Sequence, residues 1–158
     1  MGYATYFTAS PTHLAKVRHH RILIYGAGGG GGSATGNPAG GGGGAGGQCV
    51  RSLRQLTIGT TYNMTVGQAT TTDTDGQNST FNVTDVVAIG GLKGGLASVN
   101  STSAAGGVAT TVGGVGDTVV AGGSGGTGSL GASAGGGGEG GGVDASGNLV
   151  TGNSGGVT

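Results

Sequence analysis

The sequence predicts an all-β protein, in which a small N-terminal β-sandwich-like module precedes a glycine-rich extension of polyglycine-II or β type, with essentially no α-helix. Glycine makes up 44 of the 158 residues, and glycine destabilises helix interiors. Short apolar runs with alternating parity lie between turn residues, as expected of strands. Nowhere do apolar residues recur at the spacing of an amphipathic helix. These three observations favour strands over helices throughout.

The β module is predicted over residues 1–89 and the glycine-rich extension over residues 90–158. Tyr62, Met64 and Val66 alternate with polar residues and predict a half-buried strand. Apolar residues of both parities at 22–25 predict a second strand buried on both faces. A turn or linker is expected to begin at Pro11-Thr12, and turns are expected at Gly59-Thr60 and Asp75-Gly76. The predicted strands are residues 3–8, 17–27, 48–58, 62–66 and 79–89.

The composition excludes two familiar classes of glycine-rich chain. Only 2 prolines are present, whereas collagen needs abundant proline and a strict repeat. A charged fraction of 8% beside a hydrophobic fraction of 34% is unlike a disordered chain. Each ordered glycine costs about 0.5–1 kcal/mol more backbone entropy than alanine. Ordered tracts therefore need dense lateral hydrogen bonding, burial against a partner or assembly, and we favour assembly into an oligomer.

Glycines recur on a three-residue period in the first glycine block and again in the tail. Three residues per turn is the period of the polyproline-II helix, which has no internal hydrogen bonds. A face made only of glycine lets neighbouring helices approach and pair their backbone groups. The predicted structural glycines are Gly26, Gly29, Gly32, Gly40, Gly43, Gly46, Gly122, Gly125, Gly128 and Gly131.

No motif predicts catalysis, a cofactor or a metal. Residues 26–31 fit the G-x-G-x-x-G pattern, but no helix can begin after them and no acid follows at the required distance. His13, His19 and His20 are expected to be exposed strand residues. Cys49 is expected to be a small apolar residue near the start of a strand. We therefore predict no catalytic, cofactor-binding or metal-ligating residue, and we expect the chain not to be an enzyme.

The charges balance to zero, but residues 1–54 contain five basic residues and no acid. Lys16, Arg18 and Arg21 are therefore candidate docking residues for an acidic surface, and scattered solvated charges are the alternative reading. Nucleic-acid binding is not expected, because no aromatic platform accompanies these bases. No run of about 20 apolar residues is present, so no membrane span is predicted.

Two segments together resemble the glycine-rich domain of tailed-bacteriophage virion proteins, of the tail-fibre and tail-tip adhesin type. In the first, RILIYGAGGGGG, an apolar strand runs into glycine. In the second, LTIGTTYNMTVG carries a hairpin-like turn, and Ser79-Thr80-Phe81 begins the later strand. Ile58 departs from the family pattern, which has proline at that position. The resemblance spans residues 21–90, with looser similarity over the tail.

The resemblance implies a bacteriophage virion structural protein, a tail-fibre or tail-tip component involved in host-surface attachment. The alternative is a capsid decoration or head-fibre protein that stabilises or ornaments the phage head. The implied partners are other virion proteins, further copies of the chain, with a trimer favoured, and a host surface glycan or protein. The implied location is the virion, assembled in the host bacterial cytoplasm. An ice-binding glycine-rich protein is a third hypothesis, disfavoured because the sequence has neither a disulfide framework nor long regular repeats.

Overall fold

The computed structural model describes residues 9, 11–35, 40–68, 70–97, 103–129 and 135–156. Within these ranges the chain forms strands and extended segments and no α-helix, which confirms the all-β prediction. The strand predicted at residues 3–8 lies outside the described residues. The described strands are β1 (Thr12–Leu14), β2 (His19–Tyr25), β3 (Cys49–Gln55), β4 (Thr61–Thr65), β5 (Ser79–Phe81), β6 (Val86–Ala88), β7 (Ser103–Ala104), β8 (Thr118–Val120), β9 (Gly128–Ser129), β10 (Gly142–Val143) and β11 (Leu149–Val150).

Two antiparallel sheets pack against each other as a small β-sandwich. One has the strand order β1-β4-β5-β6 and the other β2-β3-β8. Across the gap, β6 contacts β2 and β3, and β5 contacts β2. The buried core between the sheets includes Val50, Phe81 and Val86. Tyr62 stacks on Phe81 with ring centroids 5.5 Å apart. Two-stranded ribbons, β7-β9 and β10-β11, lie outside these sheets.

The two sheets share a corner. Two neighbouring chain segments cross there from one sheet to the other. Residues 15–18 connect β1 to β2, and residues 56–60 connect β3 to β4. The N–H of Gly59 donates to the Ala15 carbonyl at 2.8 Å, and the N–H of Ala15 donates to the Thr60 carbonyl at 3.0 Å. The tight turn expected at Gly59 is present, with φ +82°. The hairpin implied by the resemblance is wrong, because β3 and β4 belong to different sheets.

Two other turn predictions are wrong. Residues 12–14 form β1 instead of a turn or linker, because the strand pairs with β4. The turn expected at Asp75-Gly76 lies at residues 72–73 instead, where Asp73 has φ +65°. Gly76 is part of an extended segment, and its N–H donates to the Gly91 carbonyl at 2.8 Å. This position requires glycine for close backbone approach, not for a turn, since an added Cβ would lie 2.2 Å from the Ala27 oxygen.

The single strand expected at residues 79–89 is two strands, β5 and β6, paired as an antiparallel hairpin. Asn82 and Val83 at the connection have positive φ, at +48° and +63°. The Asn82 side-chain amide donates to the Asp85 carboxylate at 2.6 Å. This contact within the turn stabilises a reversal that the alternating apolar pattern does not reveal.

The outer face of β2 is exposed, contrary to the prediction of burial on both sides. Ile22 and Ile24 pack against the core, whereas Leu23 is 39% and Tyr25 48% exposed. The second layer on this side is β11, which packs over β8 and β3. The half-buried strand expected at residues 62–66 is confirmed for Tyr62 and Met64, which lie in β4 with their polar neighbours exposed.

The glycine tracts are held together by backbone hydrogen bonds that run between distant parts of the chain. Residues 40–48 bond to residues 26–32, 89–95, 123–129 and 135–141. The division of the chain at residue 90 stays a prediction. In the part of the chain that the structure describes, no helix is long and apolar enough to cross a membrane.

Candidate functional site

A buried glycine segment, residues 40–48, lies at the centre of a bundle of extended segments. All nine of its residues are buried, although eight of them are glycine or alanine. It continues directly into β3, whose first residue, Cys49, is also fully buried. The centre of this bundle is therefore backbone, where an ordinary domain has apolar side chains.

The hydrogen bonds of this segment repeat every three residues and are directed to different neighbours in turn. Gly26, Gly29 and Gly32 donate to the carbonyls of residues 48, 45 and 42, at 2.8–2.9 Å. Gly40, Gly43 and Gly46 donate to the carbonyls of residues 129, 126 and 123, at 3.0–3.1 Å. A strand would alternate every two residues, whereas a period of three is that of an extended threefold helix.

The spacing between the segments leaves no room for side chains at most of these glycines. A Cβ added at Gly43 would lie 2.0 Å from the Gly136 oxygen, and one at Gly44 would lie 2.1 Å from the Gly29 oxygen. These obstacles are backbone atoms, which cannot swing aside as a flexible side chain can. The glycine Cα–H groups therefore face carbonyl oxygens directly, a contact that adds a weak attraction to the N–H···O bonds.

The structure places most of the predicted structural glycines in the bundle. Gly122, Gly125 and Gly128 line the central segment, where an added Cβ would lie 1.9–2.3 Å from the oxygens of residues 46, 43 and 40. Gly131 lies outside the described residues. Glycines that the three-residue pattern did not single out, such as Gly94 and Gly123, meet backbone oxygens just as closely. Sequence reasoning missed them because it followed one register, whereas each extended helix has three faces.

A buried amide connects the bundle to the sandwich. Gln48 is 2% exposed, and its Nε2 donates to the carbonyls of Thr110 and Val112 at 2.8 and 3.2 Å. Its Oε1 accepts the N–H of Ile89 at 3.1 Å. All of these partners are backbone groups, so this side chain fixes the loop at residues 110–112 to the bundle.

A polar loop over residues 70–78 is braced against the bundle by two carboxylates. The Asp73 Oδ1 accepts the N–H of Ser33 at 2.7 Å. The Asp75 Oδ1 accepts the N–H of Lys93 at 2.8 Å. Hydrogen bonds from Ser33 hold the pKa of Asp73 below its usual range, as expected for a carboxylate that accepts N–H donors. The loop is therefore held in one conformation while Thr71, Thr72 and Thr74 remain exposed.

The candidate docking residues lie on the corner and on the adjoining sheet face. Lys16 and Arg18 belong to the connection between β1 and β2, and Arg21 lies on β2 opposite Leu53. All three basic residues are exposed. The structure therefore leaves them available to a partner surface.

Two of the three histidines form a pair that sequence reasoning did not foresee. The Nε2 atoms of His13 and His20 are 3.1 Å apart, while His19 is exposed on the opposite face of β2. Partial burial, together with the neighbouring His20, lowers the pKa of His13. Among the described residues there is no group of three or more histidines, cysteines and acids that could hold a metal.

The environment of the single cysteine makes its thiol unreactive. Cys49 is fully buried, and burial raises the pKa of its thiol to about 11. The thiolate is the reactive form of cysteine, so the folded protein keeps this residue unreactive. Its expected place near a strand start is confirmed, since it is the first residue of β3.

Comparison with known protein families identifies the family of this chain. A family model described as a glycine-rich domain matches residues 5–158. Comparisons with curated proteins and with solved structures found no match. Because the family model covers nearly the whole sequence, the chain belongs to the glycine-rich domain family.

Proposed function

We propose that this chain is a non-enzymatic structural component of a bacteriophage virion, most simply a tail-fibre or tail-tip protein that presents loops to the host surface. The observation that carries the structural role is the backbone-bonded bundle around residues 40–48. Backbone atoms fill the interior of this bundle and fix the distance between its segments. A small displacement of one segment therefore disrupts several hydrogen bonds together. Such a scaffold is suited to holding loops rigidly. The phage setting is supported by the sequence resemblance over residues 21–90.

The loop over residues 70–78 is our candidate for host contact in this proposal. Asp73 and Asp75 hold its backbone, and its exposed threonines offer hydroxyl donors and acceptors. A loop that is ordered before binding loses little conformational entropy on contact. Exposed hydroxyl groups together with the Asp75 carboxylate suit polar ligands such as glycans, which the proposal includes among the host partners.

Immunogold labelling of intact particles with an antibody against this chain tests the proposal. Label at the tail end supports the fibre or tip role. Label over the head supports a second candidate, a capsid decoration or head-fibre protein. The exposed basic residues at the corner and on the adjoining β2 favour this candidate as a docking face; they are Lys16, Arg18 and Arg21. Absence of label from every particle would overturn both.

A charge-reversal experiment then tests how the chain attaches to the particle. Lys16→Glu should reduce incorporation into particles if the corner docks on an acidic partner. Lys93→Glu is the matched control, because it changes the same charge on an exposed residue elsewhere. Equal incorporation of the two variants would exclude the corner as the docking face. Light scattering of the purified chain tests the trimer that we favour.

A further inference from the structure

The His13–His20 pair arises because the two sheets meet at the corner. His13 lies in β1, in register with Tyr62, and His20 lies in β2, in register with Arg54. Both histidines are half-buried while their immediate neighbours along each strand are exposed. His20 has the same parity as Ile22, which packs against the core. The two imidazoles therefore meet on the inner side of the sheets, at an edge of the sandwich.

We propose that His13 and His20 form a two-histidine site for a transition-metal ion of zinc type, with water or a ligand from solution in the remaining positions. Imidazole is a preferred ligand of Zn²⁺, Cu²⁺ and Ni²⁺. The pair supplies two such nitrogens from strands whose backbones are held by separate sheets.

The distance between the two nitrogens suits a shared metal ion. Two nitrogens that each lie about 2.0–2.1 Å from Zn²⁺ at a tetrahedral angle are about 3.3–3.4 Å apart. The observed separation of the two Nε2 atoms is 3.1 Å, with ring centroids 5.1 Å apart and ring planes at 81°. The nitrogens therefore need to separate by only a few tenths of an ångström. Small changes in ring orientation supply this movement without any shift of the strands.

Without metal, the two Nε2 atoms are within hydrogen-bond distance of each other, so one ring donates and the other accepts. The Nδ1 of His20 is buried and has no hydrogen-bond partner among the described residues. A proton is therefore better placed on the Nε2 of His20, from which it donates to the Nε2 of His13. A metal ion takes the place of this proton between the same two atoms.

Two features of the surroundings set the strength of the site. His13 and His20 each keep part of their surface exposed, so an ion can reach them from solvent. The Arg54 guanidinium opposes a cation, but the Asp117 carboxylate pairs with it at 3.2 Å and reduces that repulsion. Metal binding also moves the His20 proton to the unpaired Nδ1, where a metal-ligating histidine normally has an acceptor. We therefore expect binding weaker than that of a structural zinc site.

Calorimetric titration of the full chain with zinc chloride, after treatment with EDTA, tests this site. We expect one Zn²⁺ per chain, and His13→Gln or His20→Gln should each weaken binding by at least about tenfold. His19→Gln is the matched control, since it removes the adjacent histidine from the opposite face, and it should leave the affinity within about twofold. No saturable binding, or an equal loss in His19→Gln, would overturn the proposal.

Ring-nitrogen NMR of the wild-type chain gives a second readout that does not depend on any variant folding. Zinc should shift the Nε2 resonances of His13 and His20 together and leave those of His19 in place. Movement of the His19 resonances, or of only one member of the pair, would overturn the two-histidine site.

Discussion

Gly29→Ala is the sharpest test of the glycine bundle, because its neighbour Gly28 supplies a matched control. A methyl group at Gly29 would lie 2.3 Å from the Leu92 carbonyl oxygen and 2.6 Å from that of Gly91. A methyl group at Gly28 would meet only the Ala45 oxygen, at 3.8 Å. Neither glycine has a positive φ. Any difference between the two variants therefore comes from space, not from backbone conformation.

The expected magnitude follows from the hydrogen bonds beside Gly29. Moving the Leu92 oxygen from 2.3 Å to about 3.0 Å separates residues 27–33 from 91–97 by about 0.7 Å. The three N–H···O bonds that join these segments, now 2.8–3.0 Å, then exceed the normal range. With about 0.5–1.5 kcal/mol lost per bond, offset partly by the lower entropy of the unfolded alanine chain, we expect a net loss of about 2 kcal/mol. Gly28→Ala should raise stability by about 0.4–1 kcal/mol.

Urea unfolding followed by circular dichroism measures both free energies of unfolding. The rate at which a thiol reagent modifies Cys49 gives an independent measure, because this buried cysteine reacts only when the structure opens. A loss of about 2 kcal/mol corresponds to modification roughly 30-fold faster in Gly29→Ala. Similar stabilities and similar modification rates for the two variants would refute the reasoning, since they would mean that the segments separate at little cost.

Three further predictions concern other parts of the molecule. Gln48→Leu leaves the N–H of Ile89 and two carbonyls without their partner. The free energy of unfolding measured in urea should therefore fall by about 2–4 kcal/mol. An unfolding midpoint like that of the wild type would contradict this role. Wild-type Cys49, with its pKa raised to about 11, should resist iodoacetamide at pH 8 in the folded chain and react once urea unfolds it; rapid reaction without urea would show that the thiol is accessible. The pKa of Asp117 is held below its usual value chiefly by the N–H of Leu53, with which its Oδ2 makes a 2.6 Å hydrogen bond. The stability that this carboxylate contributes is therefore present above about pH 4 and lost as the pH falls through the lowered pKa. Asp117→Asn should make the wild-type–variant difference in melting temperature shrink on acidification, and a difference independent of pH would exclude this linkage.

A strand could be predicted correctly where its apolar residues are the ones that face the core. Tyr62 and Met64 alternate with polar residues, and β4 has one face toward the core. The exposure of Leu23 and Tyr25 could not be predicted, because an apolar side chain shows its preference for burial but not whether a second layer covers it. The reversal at Asn82 was missed because it depends on a side-chain contact with Asp85 within the turn.

The sequence by itself determined that the fold is all-β, since abundant glycine and the alternating apolar pattern disfavour helix throughout. It also contained the three-residue spacing of glycine, because this is a property of the chain alone. Only the tertiary structure decided which segments pair, such as residues 26–32 with 42–48. It also decided which strands belong to each sheet, and therefore which connections cross from one sheet to the other. Glycine tracts have no side chains to distinguish one partner from another, so the register of the bundle depends on the sandwich that anchors their ends. The meeting of His13 and His20 has the same origin, because two sheets must share a corner before these histidines become neighbours.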